Sequence, residues 1–117
     1  MGINTNVYSY WGVRTEWNDA VSDRYEELYS ELGRDNTPLE ILMDCYSCEY
    51  MVFGVELYDS GDARWGEMVN SNEVDIYPEK MDQLKHDYMM LFKQHYPDQY
   101  EWLAAKPWRL VNLVHFT

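Results

Sequence analysis

The sequence predicts an α+β domain: an antiparallel sheet of about four strands with helices on one face. Three observations carry that expectation. Residues alternate in polarity over Asn6 to Trp17, two apolar stripes recur at helical spacing, and turn-forming residues separate these stretches. With 117 residues, 46% hydrophobic and 16% aromatic, the chain suits one domain and is too apolar to stay disordered. No repeat, linker or low-complexity tract divides it, so residues 1–117 read as a single α+β domain.

In the first stretch Val7, Ser9, Trp11, Val13 and Thr15 fall on one face, and Tyr8, Tyr10, Gly12, Arg14 and Glu16 on the other. That is the period of a half-buried strand. Asn18 can cap the helix that follows, in which Val21, Tyr25, Leu28 and Leu32 share a stripe and Gly33 is placed to end it. Thr37-Pro38-Leu39-Glu40 has a cap, a proline at the first helical position and a capping-box acid. It predicts a short helix with Leu39, Leu42, Met43 and Tyr46 on one face.

A strand follows, with Met51, Phe53, Val55 and Leu57 on one side. A three-residue loop, Asp59-Ser60-Gly61, puts Gly61 where a left-handed residue is wanted. It pairs Glu56 with Arg64 and Val55 with Trp65, so residues 48–67 read as a hairpin. Pro78 opens the clearest helix, over 77–95, with Met81, Leu84, Tyr88, Leu91, Phe92 and His95 as its stripe. Pro97 starts a short helix through Ala105, Pro107 ends it, and Trp108 to Phe116 reads as a last strand. The major elements run in the order β-α-β-β-α-β of a ferredoxin-like split βαβ unit.

Charge narrows the partners. The chain carries −12 net, and residues 1–62 hold thirteen acids against three arginines. Between Arg34 and Arg64 there are seven acids and no Lys or Arg. Direct nucleic-acid binding needs phosphate-contacting bases and is disfavoured. A basic protein or nucleoprotein complex fits as partner, and a merely solubilising surface is the alternative. No apolar run approaches the ~20 residues of a membrane span, and no secretory signal opens the chain. A cytoplasmic protein without membrane contact is expected.

Catalytic and metal chemistry find little support. Cys45 and Cys48 form a lone CxxC with no second pair of Cys or His near it, and read as buried or incidental thiols. Asp59-Ser-Gly-Asp62 with Glu67 lacks the alternating acids of a calcium loop and suits a turn. No nucleophile-and-base arrangement or phosphate loop appears, so a non-enzymatic protein without a cofactor is expected. A metal-binding or enzymatic domain is the third reading.

Aromatics are the second unusual feature, with 11 Tyr, 5 Trp and 3 Phe. Tyr and Trp anchor interfaces, although a sheet-and-helix core also consumes them. Tyr8 and Tyr10 share a strand face, and Tyr46, Tyr50 and Tyr58 lie among acids. The candidate partner-binding residues are therefore Asp44, Glu49, Glu56, Asp59 and Asp62, with Tyr50, Tyr58 and Trp65 as anchors. Twelve charges match roughly 20 Å of duplex DNA, enough for a mimic to occlude part of a nucleic-acid channel.

GINTNVYSYWGVRTEWND at the start and EYMVFGVELYDSGDARWGE further on resemble small uncharacterised proteins of tailed bacteriophages. The resemblance spans about a third of the chain and brings no catalytic motif. It implies a phage accessory protein acting in the host cytoplasm, in a class that includes inhibitors of CRISPR and restriction effectors. The rival expectation is a structural or assembly protein, such as a homodimer pairing through a tyrosine-bearing sheet edge.

Overall fold

The computed structural model describes residues 5–33, 36, 39–45, 47–60 and 75–116. Strand β1 (Thr5–Glu16) leads into helix α1 (Asp19–Leu32), followed by β2 (Ile41–Met43) and β3 (Tyr50–Asp59). Helix α2 (Pro78–His95), a 3-10 turn (Pro97–Gln99), the short helix α3 (Tyr100–Ala104) and β4 (Arg109–Phe116) complete the order. The four strands form one antiparallel sheet in the order β2-β3-β1-β4. In each half a helix links two strands that flank a third, the arrangement expected of a ferredoxin-like α+β fold.

Local chemistry explains the helix ends. Asn18 Oδ1 accepts from the Val21 amide at 3.2 Å, and Gly33, with φ +84°, follows the last turn of α1. Inside the helices Val21 and Leu28 of α1 meet Tyr88, Met89 and Phe92 of α2 over Val13, Met51 and Phe53 of the sheet. All three sheet residues sit at odd positions in the β1–β3 register, so the helices cover one face. Phe53 packs edge-on against Phe92 and Trp102, with ring centres 5.7 and 5.6 Å away. Trp11 Nε1 donates to the Met81 carbonyl at 2.8 Å and ties the start of α2 to β1. Leu32, expected on the buried stripe, is exposed at the end of α1.

Two elements differ from the sequence reading. The short helix expected after Thr37 is strand β2, because Ile41, Leu42 and Met43 pair with Phe53, Val52 and Met51. That pairing satisfies the backbone and buries Ile41, which outweighs the capping signals. Asp59 is not a loop residue: it lies opposite Tyr8, and the Ser60 amide continues the pairing to the Val7 carbonyl at 2.9 Å. The far arm of the expected hairpin, with Gly61, Asp62, Arg64, Trp65 and Glu67, lies outside the described residues.

The sheet is sharply creased. Tyr50 lies opposite Glu16 and His115 opposite Asn6, positions that a straight β1 would hold roughly 33 Å apart. Yet the Tyr50 hydroxyl and His115 Nδ1 are 2.7 Å apart. Gly12 and Gly54 are cross-strand partners between those ends. Their backbones approach so closely that a Cβ on Gly12 would meet the Phe53 carbonyl oxygen at 1.9 Å. Paired glycines thus let β1 and β3 fold away from the helices and enclose the opposite face.

Candidate functional site

The enclosed face is built from even-numbered positions of β1 and their partners. Tyr8 and Tyr10 pack with ring centres 5.8 Å apart, and Tyr8 meets the His115 ring edge-on at 5.8 Å. From across the crease Tyr50 meets the same imidazole at 6.0 Å, beneath the Arg14 guanidinium 4.8 Å from its ring centre. Tyr10, Val52 and His115 are buried without belonging to the main core, so they form a second buried layer. Burial lowers the pKa of His115, partly opposed by the Asp44 carboxylate. The His115 Nδ1 lies 2.7 Å from the Tyr50 hydroxyl, a phenol that burial and Asp44 hold protonated against the pull of Arg14.

Acids rim this layer. Glu56 lies opposite Tyr10 and Asp59 opposite Tyr8. Burial, then the charges of Asp59 and Glu40, raises the pKa of Glu56. Burial raises Tyr8 and, well above the ordinary range, Tyr10, with Glu56, Asp59 and Glu40 adding to both. Glu56 and Asp59 lie opposite two packed tyrosines, and Glu40 lines the same groove as Glu56, so the three carboxylates gather at one border of the sheet. Asn6 Nδ2 donates to Asp59 at 2.9 Å. Neither Glu40 nor Glu56 has an ion pair among the described residues. Beside them β3 extends past the end of β2, and a groove of about 440 Å³ opens toward α2. Leu39, Val55, Leu84 and Leu91 give it apolar walls, and Glu40, Glu56 and Asp87 give it charge. Tyr88 closes its floor, its hydroxyl donating to the Glu40 carbonyl at 2.8 Å.

The sequence-predicted residues divide. Glu56, Asp59 and Tyr50 fall on the enclosed face. Tyr58, opposite Ser9, falls on the other one, because β3 bulges at Leu57 and shifts the register. Glu49 is exposed at the tip of the β2–β3 connection. Asp44 is not a surface residue: it is 5% exposed, and its carboxylate accepts from Ser47 N, Ser47 Oγ and Glu49 N at 3.2, 2.7 and 3.0 Å. These bonds organise the turn between β2 and β3. Asp62 and Trp65 lie outside the described residues. Sequence reasoning passed over Glu40, Asp87, Arg14 and His115. Alternation did place Tyr8, Tyr10 and Arg14 on one face, but nothing in the sequence indicates that His115 would reach Tyr50.

Cys45 and Cys48 are free thiols, and both are exposed at the connection rather than buried. Burial, Cys48 and Asp44 together raise the Cys45 thiol, which keeps it protonated. Among the described residues no group of three or more His, Cys, Asp or Glu side chains is placed to hold a metal ion. No described helix is long and apolar enough to cross a membrane. The chain matches no protein-family model, no curated protein and no solved structure.

Proposed function

We propose that the protein is a non-enzymatic inhibitor, encoded by a phage, that binds a basic nucleic-acid-handling host protein such as a CRISPR or restriction effector. One observation supports this reading above the rest: Glu56 and Asp59 crowd against Tyr10 and Tyr8 beside Glu40, and burial first, then the charges of these acids, raises Glu56 and both phenols. Such crowding costs free energy in the isolated protein, and a cationic surface relieves it. The adjoining groove adds apolar contact, so arginine or lysine stems have somewhere to lie. Carboxylates stand where the target would otherwise meet phosphates, as in a DNA mimic. The phage origin and host-cytoplasmic setting rest on the resemblance of residues 2–19 and 49–67 to phage proteins.

The test is capture of host proteins by the immobilised protein at low and moderate salt, followed by the nuclease activity of what is captured. A basic nuclease should be retained at low salt, released at moderate salt and inhibited in between. Glu40→Lys with Glu56→Lys should weaken capture at least about tenfold. Capture indifferent to salt and to both substitutions would refute the reading.

A second reading, a homo-oligomeric assembly protein, draws on β4. That strand ends the sheet, and its exposed Leu110 and Val114 point to the same face. The edge bears no tyrosine, so aliphatic side chains replace the aromatic pairing expected from the sequence.

A further inference from the structure

At the opposite border of the sheet from the acidic groove lies a cleft of the other sign. β4 starts at Arg109, opposite Gly12, whereas β1 runs on to Glu16, leaving its outer edge beyond Gly12 without a strand partner among the described residues. Alternation decides which backbone groups face that gap. The Val7 carbonyl and the Trp17 amide both bond toward the β3 side, so odd-numbered residues of this strand turn their N–H and C=O to β3. Even-numbered residues turn theirs the other way. Gly12 finds β4 there, but the N–H and C=O of Arg14 face the gap.

The gap is a cleft of about 550 Å³ bounded by Val13, Arg14, Lys106, Pro107, Arg109 and Leu110. Three of the nine Lys and Arg residues of a chain with net charge −12 thus converge on one place. None of the three forms an ion pair among the described residues. Arg14 lies over the Tyr50 ring, and Lys106 lies 5.1 Å from the ring centre of Trp102, so two of them are held by aromatic faces that leave their donors available.

We propose that this cleft binds an acidic peptide segment of a partner protein in extended form, as an added strand on the outer edge of β1, with its carboxylates on Arg14, Arg109 and Lys106. A strand edge offers a donor and an acceptor together, which an extended peptide uses and an inorganic oxyanion does not. Leu110, which is exposed, supplies an apolar wall for alternate side chains of such a peptide. Guanidinium forks grip carboxylates in two-point contacts, and two of the three cations are arginines. Glu16 lies further along β1, so the acidic side chains belong at the Arg109 end. This inference stands apart from the acidic face, because it invokes other residues and the opposite charge.

The experiment is a titration of the isotopically labelled full chain with the peptide acetyl-Glu-Val-Asp-Val-Glu-amide, followed by amide chemical shifts. Inorganic phosphate and the uncharged Gln/Asn version of the peptide are run beside it. The acidic peptide should give saturable shifts centred on the amides of Gly12, Arg14 and Arg109, and the uncharged version should bind at least roughly tenfold more weakly. Arg109→Glu and Lys106→Glu should each weaken binding by about tenfold or more. Lys85→Glu on α2 should leave it unchanged. Amide dispersion of each variant reports that it is folded. Equal weakening by Lys85→Glu would reduce the effect to net charge and overturn the proposal. The same shifts from phosphate at equal concentration would replace the peptide site by a simple anion site, and absence of shifts at Arg14 would refute it outright.

Discussion

Gly12 concentrates the demands of this fold into one missing Cβ. An added Cβ would sit 1.9 Å from the Phe53 carbonyl oxygen and 2.8 Å from Gly54 Cα, both backbone atoms that no rotamer change can move. Gly12→Ala should therefore cost roughly 3 kcal/mol or more, an overpacking penalty at a crease that also sets the shape of the acidic face. Gly33 provides the comparison. Its φ is +84°, but a Cβ there meets only the Asn36 side chain at 3.8 Å, so Gly33→Ala should cost about 1 kcal/mol through backbone conformation alone. Chemical denaturation of both variants checks the order. Equal losses would mean that the sheet is not pinned at the Gly12–Gly54 pair. Alternation made Gly12 visible on a strand face, but its close contact depends on a partner 42 positions away.

At the scale of elements, those with a signal inside their own span were legible. The capped helix after Asn18, the helix opened by Pro78 and the alternating first strand all formed within a residue or so of expectation. Failures came where long-range pairing decided. Ile41 to Met43 follow a sound helix-start signature, yet three cross-strand partners on β3 draw them into the sheet. Part of the candidate site was legible for the same reason: Glu56 and Tyr50 sit on the strand face that alternation predicts, whereas Asp59, expected in a loop, reaches that face only through the bulge at Leu57. Tyr58 changed faces at a bulge, and Asp44 turned inward to hold three donors, neither of which a face pattern can report. The edge element β4 carries the test of the assembly reading. On that reading sedimentation velocity should show mass rising with concentration, and Leu110→Lys with Val114→Lys should abolish the rise. A single monomer mass over the whole range would dismiss it.

For the molecule as a whole, the contact that closes the sheet is the hydrogen bond between Tyr50 and His115, 65 positions apart. It joins opposite ends of β1 through β3 and β4. Tyr8 and Tyr50 face the imidazole from two sides, and among the described residues Asp44 is the acid acting on it. Burial sets the His115 pKa below its ordinary value near 6.5, whereas the unfolded chain returns it to that value. The unfolded state therefore binds the proton more readily. Stability from this group is present above about pH 6.5 and is lost as pH falls through that value toward the folded pKa. Glu56 acts oppositely, because its raised pKa makes the folded state the better proton acceptor, and its window lies lower, in the carboxylate range. Between pH 7.5 and 5.5 the histidine contribution should dominate the difference between the wild type and His115→Gln. The wild type should lose stability over that interval and His115→Gln should lose less. Tyr50→Phe should cost about 1 kcal/mol at pH 7.5 by removing the hydroxyl partner of Nδ1. Thermal unfolding at the two pH values decides it: parallel losses in wild type and His115→Gln would mean that the sheet is held closed by packing at the crease and not by this contact.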